Sequence, residues 1–475
     1  MKKWHKESFF LLLACSLIAA CGAGKVPASQ MDKISNGVRG SWAASPEARA
    51  GIDSRWVQRI GGNEGRRLVE LAWIANPDLR IAAERVQRAV ATAKVAGAAL
   101  KPEVTAGLSG QRQRDVFIGL PFGGETPVIY ATNWGANLNV NWEADLWGRV
   151  RAGQSAALAD LGAEAAGLQA AKVSLAAQVL RSWLAACEAS EQIRLAIEAN
   201  ELRKTTLDLV YDRFTSALTA DGGSAAEYRL AETEMESGKA VLAQRKGERD
   251  QAVRQLEVLL ARHPAGRLPT GAKLPKLPPF PPAGLPSGLL QRRPDILQAE
   301  RRFAASERRQ EAARVAFFPT LRLTASAGRS SNELRELLDS NFGEWALGGG
   351  ITQPIFNAGR LKAEKARADS DVRADLARLQ QTVLRAFGEV EQALAADRFL
   401  ADRQAATVRA LISSQEAVQS ARENYVAGTG DVLTVINAER SRVGLAAQEV
   451  SLRRLRLDNR VTLHLALGGS YQTSK

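Results

Sequence analysis

Polar and apolar residues alternate strictly in four short segments of the chain. The clearest segment covers residues 133–142, where Trp134, Leu138 and Trp142 share one face and asparagines occupy the other. A period of two is the pattern of a β-strand, and Trp near strand ends is typical of membrane strands that have a lipid face and a lumen face. The strands alone leave a second interpretation open, in which they form half-buried hairpins of a soluble protein.

The four segments form two pairs, and each pair predicts a β-hairpin. The first hairpin is expected at 103–142 and the second at 320–353, where the alternation begins at Leu321. Because successive side chains of a strand point to opposite faces, Leu138 is predicted to face lipid. The predicted lumen-facing residues of the same strand are Asn137, Asn139 and Asn141.

Proline is absent between Pro127 and Pro264 and again after Pro354. Both stretches are rich in Ala, Leu, Glu, Gln and Arg, which favour helices. Apolar residues recur at three and four positions, as a coiled-coil-like seam requires. Each stretch predicts a very long helix, a short turn rich in Gly and Asp, and an antiparallel returning helix. The long helices are expected at roughly 144–215 and 357–427, each on the order of 100 Å long, and the returning helices at about 224–262 and 431–467.

The two halves of the chain resemble each other. Asn76-Pro77-Asp78-Leu79 matches Arg293-Pro294-Asp295-Ile296, and further matches follow in the same order, which indicates a duplicated unit. Each unit begins with a helix, 65–100 or 290–318, that ends near a proline. The expected division is a first repeat at 65–268, a Pro-rich linker at 269–289, a second repeat at 290–468 and a C-terminal tail at 469–475.

The N-terminal residues have the features of a secretory signal peptide. Lys2 and Lys3 precede an apolar run that is too short to cross a bilayer stably. The run ends in Leu17-Ile18-Ala19-Ala20 before Cys21, which resembles the lipobox of bacterial lipoproteins. We predict a lipoprotein signal peptide at 1–20, acylation of Cys21 and a lipid-anchored segment at 21–64. An ordinary signal peptide with an incidental cysteine is the alternative.

Composition excludes several classes of function. The net charge of +13 is spread over interleaved acids and bases without a basic run, so no nucleic-acid partner is expected. No later segment is apolar enough for a helical membrane span. Cys187 is expected to be a packed small side chain, and His263 and His464 lack metal-ligand spacing. We therefore predict no enzyme activity, no metal, and no cofactor apart from the covalent lipid on Cys21.

Four strands per chain cannot close a membrane barrel, and an open sheet edge in lipid leaves backbone groups unpaired. Two copies would give eight strands with a filled interior, whereas three would give twelve strands with a lumen. The small polar residues of the lumen face favour three. The predicted fold is thus mainly α with a membrane β-barrel, a trimer closing a 12-stranded barrel above an α-helical periplasmic tunnel. A lipid-anchored periplasmic coiled-coil adaptor or structural protein without a barrel is the alternative.

Several motifs resemble the TolC-like outer-membrane efflux proteins, in their NodT/OprM-type lipoprotein branch. The two most specific motifs extend from Gly284 to Ile296 and from Ala316 to Leu321. The motifs at 142–149 and 353–360 are also similar to the family. The resemblance covers nearly the whole chain. It implies the exit duct of a tripartite efflux pump that exports small molecules across the outer membrane. The implied partners are two further copies, a periplasmic adaptor and an inner-membrane pump.

In this family, polar and acidic residues near the second helical tip help to close the tunnel. Tyr425, Gly428 and Asp431 stand in that segment, and Asp221 lies in the first tip. The family often carries aspartates one turn further along, where this sequence has Thr434 and Asn437. Asp221 and Asp431 also suit helix N-caps, so capping and gating remain open for both.

Overall fold

The computed structural model describes residues 42–43, 55–116, 128–217, 224–271, 273–280 and 286–469. The predicted signal peptide and Cys21 lie outside these residues, and so does Asp221 in the first tip.

The described chain contains a similar series of elements twice. In each half, two shorter helices are followed by two strands, a very long helix and a returning helix. The first half comprises α1 (Trp56–Ala75), α2 (Pro77–Ala98), β1 (Glu103–Val116), β2 (Val128–Ala144), α3 (Arg149–Ala217) and α4 (Ala225–Leu259). The second comprises α5 (Pro286–Arg292), α6 (Pro294–Val315), β3 (Thr320–Ser331), β4 (Gly343–Thr352), α7 (Arg360–Val426) and α8 (Val432–Ala466).

The strands form one antiparallel sheet in the order β1-β2-β3-β4 within the described residues. Asn139 lies opposite Thr105 on β1 and opposite Ser326 on β3, so polar residues line up across neighbouring strands. Gly110 is required beneath the ring of Trp134, because a Cβ there would lie 2.3 Å from the ring. The outer edges of β1 and β4 have no partner strand in this sheet.

The helix predicted at 65–100 differs from the structure, which has two helices there. Buried Asn76 separates them, because an extended backbone is favoured before proline and Pro77 suits the first helical position. Its Oδ1 accepts a hydrogen bond from the Asp78 N–H at 2.9 Å, and its Nδ2 donates to the Leu259 carbonyl at 3.0 Å. Arg293 and Pro294 break the helix predicted at 290–318 in the same way.

The very long helices give the molecule its length. Helix α3 has 69 residues, which extend about 100 Å at 1.5 Å per residue. The predicted seam of α7 is confirmed at Leu379, Val383 and Val390, which are buried. Cys187 is buried in α3, and burial raises the pKa of its thiol to about 12. It is the packed, neutral side chain that the sequence predicts.

The chain that follows α4 is fastened to the helices by buried carboxylates, at residues 266–268 and at Leu274 in the predicted linker. Both oxygens of Glu257 accept hydrogen bonds, from the N–H groups of Gly266, Arg267 and Leu268 at 2.7–3.0 Å. Glu191 accepts one from the Leu274 N–H at 2.7 Å. These contacts hold this part of the chain against the helices.

Candidate functional site

The second helical tip connects α7 to α8 through a glycine turn. Gly428 has a φ of 78°, which side-chain-bearing residues rarely adopt. Its N–H donates to the Tyr425 carbonyl at 3.1 Å, and the Thr429 N–H donates to the Asn424 carbonyl at 2.9 Å. These two bonds form a Schellman motif, which ends α7. Gly428 is therefore explained by chain reversal.

Asp431 caps the returning helix. Its Oδ1 accepts a hydrogen bond from the Thr434 N–H at 2.7 Å, as an N-cap side chain does. The side chains of Thr434 and Asn437 are exposed, on the side of α8 away from buried Val435. Capping is thus the contact that the structure provides for Asp431, and the exposed face beside it is polar and uncharged at these two positions.

Tyr425 is buried at the tip, with 4% of its surface exposed. Its ring belongs to an apolar cluster with Val210 and Val432, while its hydroxyl has no hydrogen-bond partner among the described residues. The guanidinium of Arg213 lies 4.9 Å from the ring centre, and Nη1 of Arg213 donates to the Tyr425 carbonyl at 3.1 Å. Burial raises the pKa of Tyr425, and nearby Glu227 acts in the same direction while Arg213 opposes it.

A buried polar network above the tip joins the two helical hairpins. Nη2 of Arg422 in α7 donates to Oε1 of Glu439 in α8 at 2.9 Å. The Thr206 hydroxyl of α3 donates to the same oxygen at 2.7 Å, and Arg422 also donates to the Leu202 carbonyl at 3.1 Å. No sequence pattern indicates this network, because a charged residue on a long helix is usually solvated.

A second ion pair joins the hairpins at the next residue of α8. Arg440 of α8 contacts Glu234 of α4, whose side chain is 8% exposed. The first tip itself lies outside the described residues, but α4 begins in a capping box of Ser224 and Glu227. The Tyr228 ring stacks on Phe214 of α3 at 6.0 Å. Both hairpins are therefore packed together close to their tips.

Asn137, Asn139 and Asn141 lie on one face of β2, as their spacing predicts. Nδ2 of Asn139 donates to Oδ1 of Asn137 at 3.2 Å. The polar face continues along β1, where the side chains of Gln111 and Gln113 hydrogen-bond at 2.8 Å. The opposite face carries exposed Leu108, Leu138, Trp345, Leu347 and Ile351. One sheet thus has a polar face and an apolar face, and within the described chain the apolar face is covered only at the end of β3, where the short 3-10 segment Leu334–Leu338 contacts Arg329.

Two observations limit the chemistry of the described residues. They include no cluster of His, Cys, Asp and Glu able to hold a metal ion. None of the described helices is both long enough and apolar enough to pass through a membrane.

Comparisons with known proteins agree with this architecture. The protein-family model described as Outer membrane efflux protein matches residues 68–262 and 285–469. The pyoverdine export outer membrane protein OpmQ of Pseudomonas putida is 32% identical over 442 residues, covering 90% of each chain. The probable outer membrane lipoprotein SilC of Salmonella typhimurium is 29% identical over 467 residues, covering 98% of each. A crystal structure of the transmembrane channel CusC superposes with a TM-score of 0.80 at 28% identity, covering 91% of this chain and 97% of that one.

The chain belongs to the outer membrane efflux protein family, whose model matches most of its length in two segments. It is an outer-membrane channel subunit of a tripartite efflux pump and, like the rest of its family, not an enzyme.

Proposed function

We propose that the exit duct is a homotrimer, in which three sheets close a 12-stranded barrel above a tunnel formed by the long helices. The observation that carries this proposal is a sheet with two unpartnered edges, β1 and β4, and one polar face. In lipid, each unpaired backbone group at such an edge costs several kcal/mol. Pairing β1 of one copy with β4 of the next removes the edges. Twelve strands then leave a water-filled lumen for the exported molecule.

The polar face is proposed to line the lumen, with Asn137, Asn139 and Asn141 toward water. The apolar face has the composition of a lipid-facing surface, and Trp142 and Trp345 lie on it. At the other end of the tunnel, Tyr425, Gly428, Asp431 and Asp221 are proposed to form the closed periplasmic tip. A periplasmic adaptor and an inner-membrane pump would open it, as the tripartite arrangement of the family requires.

A lipid on Cys21 is proposed to anchor the N-terminal segment 21–64 after cleavage of residues 1–20. Support comes from Trp42, whose ring is buried against Phe387 of α7 at 6.1 Å. Phe387 lies about 40 Å along the helix from Arg360, where α7 leaves the sheet. The roughly 21 residues between Cys21 and Trp42 can span about 70 Å. The tether is therefore long enough to reach from the membrane to the docked Trp42.

The Cys21→Ser variant separates the barrel from the anchor. Without acylation, a barrel protein stays in the membrane pellet after alkaline washing, whereas a protein held by its lipid alone moves to the supernatant. We expect the variant to lose palmitate labelling, to remain in the pellet and to run as a heat-labile oligomer on unheated gels. Release of the folded variant into the supernatant would refute the barrel, and palmitate labelling at the wild-type level would refute the anchor.

A further inference from the structure

Two arginines of β1 lie on the apolar face of the sheet, where most neighbouring side chains are hydrocarbon. Arg112 and Arg114 are on the same face of β1 as Val104 and Leu108, because all four have the same parity in the strand. Both arginine side chains are exposed. A charge on the lipid face of a barrel is unfavourable at the centre of the membrane and tolerated near its borders. Their height on the barrel therefore decides what they contact.

The strand geometry places the two arginines at the outer border of the membrane. In a tilted barrel strand each residue rises about 2.5 Å along the barrel axis. Taking Val104 as the periplasmic end of the apolar band, Arg112 lies about 20 Å and Arg114 about 25 Å above it, and such a band is about 25 Å tall. The aromatic residues of β2 mark the same border, since Trp134 lies opposite Gly110 and Tyr130 opposite Arg114.

The described part of the chain offers these arginines an aromatic ring but no acid. The guanidinium of Arg112 lies 6.0 Å from the ring centre of Tyr130, which orients it as a cation–π contact. Neither arginine has an ion pair within residues 55–116, 128–217, 224–271, 273–280 and 286–469. The segment between the two strands, 117–127, contains a single acid, Glu125, against the two arginines.

A neighbouring copy would bring the second hairpin beside β1. Three of its four acids lie in the turn between β3 and β4 and are engaged within their own chain, while Glu344 lies on the polar face of β4, opposite to the face of the arginines. Glu333 forms an ion pair with Arg335 at 2.6 Å, and Glu336 accepts a hydrogen bond from the Ser331 hydroxyl. Asp339 accepts one from a backbone N–H at 3.0 Å. Glu125 can balance only one of the two positive charges, which favours an acidic partner from outside the protein for this pair.

We propose that Arg112 and Arg114, beside the Tyr130 ring, bind the phosphate group of a lipid in the outer leaflet. Paired guanidinium groups suit phosphate oxygens, to which each donates two parallel hydrogen bonds. Long arginine side chains reach from the lipid face to the headgroup level while their stems stay in hydrocarbon. The site would fix the rotational position of lipid around the barrel and hold the outer rim of β1 to the membrane surface.

The test uses purified full-length protein in a neutral detergent, with lipid A carrying two phosphates as the probe and native mass spectrometry as the readout. We expect the R112Q/R114Q variant to bind the probe about tenfold more weakly, because both charge-assisted contacts are lost. R112K/R114K should keep part of the binding. The matched control is Arg322→Gln, an exposed arginine on the opposite face of the same sheet, which should bind as the wild type does.

Three results would overturn the lipid site. They are unchanged binding in R112Q/R114Q, equal binding of dephosphorylated lipid A, and full displacement of the lipid by excess inorganic phosphate, which would mark a free-phosphate site. If the double variant fails to assemble, Arg114→Gln alone repeats the comparison. The inference rests on the proposed lipid face, which thiol labelling at Leu138 and Asn139 tests separately. If thiol labelling confirms the lipid face but lipid A binds equally well without the two arginines, the lipid site is refuted and the proposed lipid face is retained.

Discussion

Tyr425 stabilises the tip through its ring. The ring fills space among the apolar residues of both hairpins and supports the Arg213 guanidinium, while the hydroxyl finds no partner in the described structure. Removal of a buried aromatic side chain leaves a cavity and costs about 3 kcal/mol or more. Loss of a hydroxyl that makes no hydrogen bond costs little.

We therefore expect Tyr425→Phe to leave conductance in a planar bilayer close to that of the wild type. Tyr425→Ala should raise the open probability, because the cavity loosens the packing between the hairpins. Both variants should remain trimers on unheated gels, which controls for misassembly. A Phe variant that opens the channel as much as the Ala variant would show that the hydroxyl holds the tip closed.

Two substitutions of Asp431 can distinguish a role in capping α8 from a role in gating the channel. Loss of the cap in Asp431→Ala should destabilise the start of α8 by about 1 kcal/mol. Asp431→Asn removes the charge but retains an oxygen for the Thr434 N–H, so it should behave as the wild type if capping is the role. Hydrogen exchange at Thr434 and single-channel recording together check this. An Asn variant with normal exchange but altered conductance would assign Asp431 to the gate.

At the scale of the elements, α3 and α4 are joined to α7 and α8 by buried charges. The side chain of Glu439 is 6% exposed and that of Arg422 is 22% exposed, so both are largely removed from water. A buried ion pair contributes little when intact compared with hydrophobic packing, but removal of one partner is strongly destabilising. The two hairpins of one copy are thereby tied close to the tip.

Glu439→Ala should lower the stability of the helical region by about 3 kcal/mol, because Arg422 loses its partner in a buried position. Glu439→Gln keeps an acceptor for Thr206 and should cost less. The thermal midpoint of the helical circular dichroism signal measures both. Exposed Glu423, one residue along from Arg422, provides the matched control as Glu423→Ala. An equal decrease of the thermal midpoint in Glu423→Ala and Glu439→Ala would show that Glu439 does not specifically join the two hairpins.

The contact between α8 and α3 also predicts a pH dependence. Burial raises the pKa of Asp458 from its ordinary value of 3.8 to about 6, with Glu188 adding to the rise and Arg454 and Arg181 opposing it. One carboxylate oxygen pairs with Arg454, and the other is buried without a hydrogen bond. The folded state thus binds this proton more tightly than the unfolded chain. Its stabilising effect, roughly 3 kcal/mol at most, is complete below pH 4 and disappears as the pH rises through about 6.

We expect Asp458→Asn to gain thermal stability over the wild type as the pH rises from 4 to 7.5, because Asn never acquires the buried charge. The difference in thermal midpoint between variant and wild type is the measurement, since other groups titrate equally in both. Asp402→Asn, at an exposed position of α7, is the control. A difference that does not change with pH would mean that Asp458 stays ionised throughout.

At the scale of the whole molecule, the polar and the apolar face of the sheet specify how copies assemble. A polar face toward a lumen and an apolar face toward lipid predict that Asn137 and Asn139 react with a membrane-impermeant thiol reagent when replaced by cysteine. Leu138→Cys between them should not react. The experiment uses a Cys187→Ala background and protein in lipid nanodiscs. Equal labelling at the three sites would show that the face assignment is wrong.

The hairpins and long helices could be predicted because each follows one local rule along many residues. The register of β2 follows from its alternation, and the helices follow from the absence of proline. The break at Asn76 has a local signal, an N-cap asparagine before proline, but one long periodic helix was predicted across it. Buried Glu439 could not be predicted, since its partners Arg422 and Thr206 belong to different hairpins. Sequence patterns report local geometry, and Glu439 is specified by contacts between distant segments.

The stacking of Trp56 on His464, with ring centres 5.6 Å apart, has a consequence for biogenesis. The first described helix packs against α8 as well as against α3, so the core cannot close until α8 has been synthesised and exported. Contacts between such distant parts of a chain form slowly, and the apolar surface of α1 and α3 stays exposed in the meantime. Newly exported chains should therefore depend on periplasmic chaperones for longer than a protein whose neighbouring segments pack as they emerge. Chains truncated within the last turns of α8 would lack this contact and would therefore become substrates for proteases.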